Sequence, residues 1–164
     1  DRLVHNLTVD GLHTYYVGVG ATAVLTHNDD PNCPVDAARR LADQTTSITG
    51  KKRPQVSEAI RLTDGTPYQS TSFKGERPVL HPLVEGLLGQ VPRSLQGRGH
   101  ARCGLPVCLS EALWDGRDPT GAEAAAVLVR SHVDHKDHGK AIGPCGSCQV
   151  LEHYFDLNFL TKDD

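Results

Sequence analysis

The sequence reads G-P-C-G-S-C from Gly143 to Cys148 and, earlier in the chain, H-A-R-C-G-L from His100 to Leu105. A C-x-x-C at the start of a helix brings two thiolates onto one metal ion, and the helix N-terminus favours their negative charge. A catalytic zinc ion commonly takes three protein ligands and keeps one position for water. With Cys103 as the third thiolate beside Cys145 and Cys148, the sequence predicts a site for the cofactor Zn²⁺.

The chain has five cysteines, and their arrangement leaves two alternatives open. One is a redox C-x-x-C, and the other is a four-Cys structural zinc site that includes Cys108. Cys108 follows Cys103 by five residues on the same predicted helix, a net rotation of about 140°, so the two thiols would face different ways. We therefore interpret Cys108 as a buried apolar residue and Cys33 as a loop thiol.

The length of 164 residues suits one domain with its own core plus a short extra piece. No run approaches eighteen apolar residues, and the first residues lack the regions of a signal peptide. We expect no membrane segment. Because the chain contains no methionine, we expect a segment cut from a longer polypeptide, with any export signal upstream.

The charge is unevenly distributed along the chain. Residues 39–102 hold eleven Lys/Arg against five Asp/Glu, whereas residues 103–164 hold five against ten. The first half could follow a phosphate backbone, although such runs are also typical of an ordinary solvated surface. The phosphate-binding candidates at the pocket rim are Lys51, Lys52, Arg53, Arg98 and Arg102.

Hydrophobic periodicity and turn residues predict the elements of the remaining chain. The order is helix, hairpin, helix, helix, strand, helix and strand, which indicates an α/β sandwich with a mixed sheet. The helices are expected at 35–46, from just after Pro82, at 103–114 and at 145–155; the hairpin turns at Asp64-Gly65, and A-A-A-V-L-V-R-S is the central strand.

Residues 53–160 resemble the deaminase-fold toxins of the YwqJ-like group. The corresponding stretches are R-P-Q-V-S-E-A-I, V-L-H-P-L-V, H-A-R-C-G-L, C-L-S-E-A-L and H-G-K-A-I-G-P-C-G-S-C. The resemblance implies a three-layer, cytidine-deaminase-like α/β fold with a mixed sheet and zinc-bearing helices. It also implies that Cys103, Cys145 and Cys148 are the metal ligands.

The sequence departs from this group at the general acid. The group reads H-G-x-C-A-E, with a Glu two residues past the first ligand that carries protons to the ring nitrogen and the leaving ammonia, and here that position is Leu105. Two candidates for a displaced acid are Glu58, which replaces a Gly of the group's strand, and Glu111, which is about 12 Å along the helix from Cys103. The third possibility is a degenerate or altered site.

Three further residues are expected near the pocket. His100 and His138 each precede a proposed ligand by a few residues, and Ser57 adjoins Glu58. Trp114 and Phe73 are interpreted as core residues rather than base-stacking platforms.

Residues 4–28 resemble the C-terminal end of a Hint self-processing domain of the pretoxin kind, which closes with strands like V-x-N-L-T-V-x-G-x-H-T-Y-Y-V and ends in V-L-x-H-N. The resemblance implies that a domain of this kind cleaves the chain after Asn28, with His27 protonating the leaving amide. The nucleophile that begins such a domain is absent here, so we expect that this fragment alone does not process itself. An ordinary hairpin, turning at Asp10-Gly11, is the alternative. The expected domains are 1–28, a Hint remnant; 29–50, a linker with an N-terminal helix; and 51–164, a deaminase-like toxin domain.

Together these features predict a zinc-dependent nucleobase deaminase, acting on cytosine in nucleic acid. It would be the toxin module of a secreted polymorphic toxin in interbacterial competition, acting in the cytoplasm of a target cell. Its expected partners are a cognate immunity protein and a single-stranded DNA, RNA or nucleotide substrate. The alternative is a catalytically degenerate binding module of the same fold, stabilised by zinc.

Overall fold

The computed structural model describes residues 14–19, 22–27, 33–97 and 99–161. The chain divides into two compact units, residues 1–31 and residues 32–163. In the first unit, strands β1 (Thr14–Val19) and β2 (Thr22–His27) pair antiparallel, with Thr14 opposite His27. The expected turn at residues 10–11 and the cleavage position Asn28 lie outside the described residues.

The second unit is built on a five-stranded sheet. Its strands are β3 (Val56–Arg61), β4 (Pro67–Thr71), β5 (Glu123–Leu128), β6 (Ala141–Ile142) and β7 (Asn158–Leu160). The order β4-β3-β5-β6 is antiparallel throughout, and β7 pairs parallel with the other end of β5. The predicted mixed sheet is therefore confirmed, and the short β6 is the strand that the sequence analysis missed.

Four helices lie within residues 33–97 and 99–161, in the predicted order: α1 (Pro34–Thr45), α2 (Pro82–Gly89), α3 (Leu105–Trp114) and α4 (Gly146–Tyr154). The predicted starts of α3 and α4 were slightly early, because Cys103 precedes α3 and Cys145 is the N-cap of α4. No helix of the described residues is long and apolar enough to cross a bilayer.

Alternating side chains of the sheet separate two cores. Ala59 and Val127 face α1, whereas Ile60 and Ala124 face the side of α2, α3 and α4. Successive residues of a strand point to opposite faces, so β3 and β5 supply both cores from neighbouring positions. The unit is a mixed α/β structure with helices on both faces of its sheet, and the start of α3 lies over β3 and β4.

The close contact between α3 and the sheet depends on Gly104. A Cβ at this position would meet the carbonyl oxygen of Ser70 on β4 at 2.7 Å and the carboxylate of Glu58 on β3 at 2.8 Å. Both distances are shorter than real Cβ contacts, and the carbonyl belongs to a paired strand that cannot move aside. Only glycine lets the chain enter α3 this close to the sheet.

We predict that Gly104→Ala lowers the free energy of unfolding by about 1–3 kcal/mol, because the added methyl overpacks a buried backbone contact. Gly86→Ala is the matched control, since Gly86 lies within α2 and a Cβ there meets no heavy atom within 4 Å. The free energy of unfolding of Gly86→Ala should rise by about 0.5–1 kcal/mol, because alanine has a higher helix propensity than glycine. Urea unfolding of both zinc-loaded variants measures the difference, and equal midpoints would contradict the packing described for Gly104.

Candidate metal centre

Three thiols converge between the starts of α3 and α4. The Sγ atoms of Cys103, Cys145 and Cys148 all lie within 4.8 Å of one another, and those of Cys103 and Cys145 are 3.6 Å apart. Tetrahedral zinc with Zn–S bonds of about 2.3 Å holds its sulfur ligands about 3.8 Å apart. The cluster could therefore hold a metal ion, and its spacing is compatible with zinc. Among the described residues, it is the one group of three or more potential ligands.

The local backbone explains how the C-x-x-C reaches the third thiol. Cys145 caps the N-terminus of α4 and Cys148 lies in its first turn. Gly146 between them packs against Leu95, the last residue of a short 3-10 helix (Arg93–Leu95), and a Cβ there would come within 2.7 Å of the Leu95 carbonyl oxygen. The second glycine of G-P-C-G-S-C thus lets the α4 start approach the segment that leads to Cys103.

The thiols of the cluster have divergent pKa values. Hydrogen bonds from Cys103 and Cys148, supported by backbone N–H groups at the start of α4, lower the pKa of Cys145. The hydrogen bond to Cys145 raises the pKa of Cys103, and the bond with Cys103 raises that of Cys148. The hydrogen bonds within the cluster therefore favour a thiolate among the three sulfur atoms.

A buried carboxylate lies beside the three thiols. Glu58 of β3 is 4 % exposed, and its Oε2 accepts hydrogen bonds from the backbone N–H groups of Gly104 and of Leu105, the latter at 3.0 Å. Burial, with a smaller contribution from the charge of Cys145, raises the Glu58 pKa to about 7 despite these two hydrogen bonds. A carboxyl group with this pKa can take up and release a proton near neutral pH.

Leu105 is part of the core rather than of the site surface. Its side chain is 1 % exposed and packs among the buried residues of α2, α3 and α4. The backbone of the same residue is what holds Glu58, because the Leu105 N–H donates to that carboxylate. The carboxyl group nearest the start of α3 therefore comes from the sheet.

The structure corrects the expected pocket positions of Ser57 and His138. Ser57 pairs with Val127, and both face α1 on the side of the sheet opposite Glu58. The Ser57 hydroxyl is buried there without a hydrogen-bond partner. His138 also lies towards α1, because its Nε2 is 2.8 Å from a carboxylate oxygen of Asp43. Successive residues of a strand point to opposite faces, so Ser57 lies on the face opposite Glu58 rather than in the pocket. The loop after β5 carries His138 away from the thiols.

Glu111 is corrected as a candidate acid. The helix α3 runs unbroken from Leu105 to Trp114, and Glu111 is solvent-exposed near its C-terminal half. At about 1.5 Å per residue the helix carries this carboxylate away from the thiols, which lie at the opposite end. Trp114, expected in the core, is 51 % exposed and lies against the ring of His81.

His100 is the predicted pocket histidine that the structure brings to the centre. Its Nδ1 is 2.8 Å from the hydroxyl of Ser147, a buried residue between the two ligands of α4. This contact ties the loop before Cys103 to the start of α4. His100 therefore helps to hold the third thiol against the other two.

An open cleft of ≈ 370 Å³ reaches Cys103 from the solvent side. Gln55, Phe73, Lys74 and Arg102 are among the residues that line it. Phe73 was expected in the core, but it is only partly buried and lines this cleft. The backbone N–H of Phe73 donates to the Arg102 carbonyl at 2.8 Å, which fixes the cleft wall to the segment before Cys103.

The basic candidates divide between two clefts. Arg102 lines the cleft at Cys103, whereas Lys51 and Arg53 line a second cleft of ≈ 500 Å³ with Lys74 and Arg130. Lys52 is exposed on the same short 3-10 turn as Lys51, and Arg98 lies outside the described residues. The sequence analysis missed Lys74 and Arg130. The predicted hairpin and central strand were the signal that could have found them, because strand pairing brings both residues to this edge of the sheet.

We predict that the purified chain binds one zinc ion and that Cys103→Ser, Cys145→Ser and Cys148→Ser each lose it to a chelator that leaves the wild type loaded. A missing thiolate removes one of three protein ligands. Cys33→Ala is the control, because Cys33 is buried against α1 on the opposite face of the sheet. Elemental analysis after dialysis gives the stoichiometry, and full zinc retention by the three ligand variants would exclude this site.

Comparisons of the chain with protein-family models, with curated proteins and with solved structures found no match. The likeness to deaminase-fold toxins therefore rests on the quoted sequence stretches alone. Independently of that likeness, the second unit is a mixed α/β structure in which the three expected thiols meet beside a buried carboxylate.

Proposed function

We propose that the second unit is a zinc-dependent nucleobase deaminase and the toxin module of a secreted polymorphic toxin. The observation that supports this most is the position of the Glu58 carboxylate. It is buried beside three convergent thiols and bonded to the backbone of Leu105, the residue that stands where the resembled group has its acid. A carboxyl group supplied from β3 replaces the one missing from α3.

The proposed reaction is hydrolytic removal of an amino group from a base. Zinc, when held by Cys103, Cys145 and Cys148, supplies a water molecule of lowered pKa for attack on the amino-bearing ring carbon. Glu58 takes up the proton that this water loses and delivers it to the ring nitrogen. It then carries a second proton, from the hydroxyl group now on the ring carbon, to the amino group, which leaves as ammonia. The N–H groups of Gly104 and Leu105 fix one carboxylate oxygen, so that the other is left to exchange the proton.

The cleft at Cys103 supplies a site for the base. Its volume of ≈ 370 Å³ falls within the range of ligand pockets, about 300–1,000 Å³. The Phe73 ring offers a face for stacking, and the Gln55 amide can both donate to and accept from a base edge. Cytosine is the base we assign to this cleft, following the cytidine-deaminase-like fold that the resemblance implies. Adenine has the same amino group beside a ring nitrogen, so activity on adenine-containing strands distinguishes the two.

The toxin role is supported by the resemblances at both ends of the chain. A Hint-type segment that ends at His27 and Asn28 would release the second unit, and the producing cell would need an immunity protein. The released unit would then act in the cytoplasm of the target cell.

A binding module stabilised by zinc is the second candidate, and a specific contact favours it. The Glu58 carboxylate satisfies two N–H groups at the start of α3, which is a structural role that helix termini require. In that case the thiols hold zinc to fix the α3 and α4 starts, and no proton transfer occurs.

We predict that the zinc-loaded chain releases ammonia from cytosine-containing single strands and that Glu58→Gln lowers kcat by about 10²–10⁴-fold. Glutamine retains an oxygen for the Gly104 and Leu105 N–H groups but cannot carry the proton. Glu111→Gln is the matched control and should keep the wild-type rate, because Glu111 is exposed on α3.

Base conversion is measured on cytosine- and adenine-containing DNA and RNA, with zinc content determined for each variant. An unchanged rate for Glu58→Gln would remove Glu58 as the acid. No product from any substrate, with zinc bound, would establish the binding module instead.

A further inference from the structure

We propose that the clefts at Cys103 and at Arg130 form one path for a single-stranded polynucleotide, with its phosphodiester backbone bound by Lys51, Arg53, Lys74 and Arg130. We call these four residues the basic trough. The proposal rests on the proposed function for the role of the cleft at Cys103. The phosphate binding itself rests only on the trough.

The sheet topology brings the four cations together. Because β3 is antiparallel to both β4 and β5, the N-terminal end of β3 meets the C-terminal ends of β4 and β5 at one edge. Lys51 and Arg53 precede β3, Lys74 follows β4, and Arg130 follows β5. Residues remote in sequence therefore line one cleft of ≈ 500 Å³.

The positive charge of the trough is uncompensated within the described residues. Its lining contains no Asp or Glu, and none of its four cations forms an ion pair in the part of the chain that the structure describes. Elsewhere on this unit, Arg61 pairs with Glu123 and Arg117 with Asp64. Uncompensated cations that line a concave surface attract an anionic ligand and raise its local concentration.

The trough adjoins the cleft at Cys103. Gln55 and Lys74 line both clefts, so a strand that leaves the thiols past these two residues would reach the basic trough next. Arg102 adds a further cation on the side of Cys103. A base placed at Cys103 would thus have its neighbouring phosphates among Lys74, Arg53 and Lys51.

The arrangement favours a strand over a free nucleotide. Single-strand binding commonly combines a positively charged groove with an aromatic face on which a base stacks, and here these are the trough and Phe73. Lys51 on its short 3-10 turn, the adjoining Arg53, and Arg130 beyond the end of β5 extend the cations beyond the cleft that holds the base. A free nucleotide carries the same phosphate chemistry but would contact only part of this set.

The test measures binding of the full zinc-loaded chain to a fluorescent single strand of about 12 nucleotides, as DNA and as RNA. We expect the Lys51→Ala/Lys74→Ala variant to bind about 20-fold more weakly near 0.1 M salt. The slope of log K against log salt should fall by about 1.4, because each lost phosphate contact on a single strand contributes about 0.7. Lys51→Arg/Lys74→Arg should restore binding.

Lys136→Ala/Lys140→Ala is the control matched in charge, since both lysines are exposed at a different cleft, beside His138. It should keep the wild-type affinity to within about twofold. Equal loss in the two double variants would overturn the proposal, because binding would then follow net charge alone. Cytidine monophosphate and inorganic phosphate serve as competitors. If either displaced the strand when present at the same concentration of phosphate groups as the strand, a mononucleotide site would replace the strand path.

Binding is measured without turnover, so the outcome is independent of deamination. If the chain makes no product and the trough variant still loses binding, the trough is established and the deaminase is refuted. Product formation with unchanged binding in that variant would refute the trough alone.

Discussion

The contact between the Glu58 carboxylate and the backbone at the start of α3 is the interaction on which the rest of the site depends. Two N–H groups that a helix terminus leaves unpaired are satisfied by an acid from the middle of the sheet. This contact requires a glycine at position 104, sets where α3 begins and fixes the height of Cys103 above the strands. The position of one thiol of the metal centre is therefore set by β3.

The same contact keeps an ionisable group inside the protein. Burial, with a smaller contribution from the charge of Cys145, raises the Glu58 pKa to about 7. The two N–H donors act in the opposite direction, because they stabilise the ionised carboxylate. The hydrogen bonds that hold α3 to the sheet therefore also keep this carboxyl group able to change its protonation state near neutral pH.

The C-x-x-C at the start of a helix and the order of the elements were predictable because they depend on local signals. A C-x-x-C after proline, Asp64-Gly65 in a hairpin and the apolar run of β5 each determine their own surroundings. Ser57 was misplaced although strand alternation alone puts it on the face opposite Glu58, whereas the position of His138 depends on a loop path that no short stretch encodes. Lys74 and Arg130 were missed because only strand pairing brings them to Lys51 and Arg53.

The coordination of the bound metal tests the central claim most directly. A zinc X-ray absorption spectrum of the purified chain should show three sulfur ligands at about 2.3 Å and one oxygen or nitrogen at about 2.0–2.1 Å. That result is expected because Cys103, Cys145 and Cys148 alone converge among the described thiols, which leaves one position open for water. Four sulfur ligands would contradict the claim, because a closed site holds zinc for structure and leaves no position for the reaction.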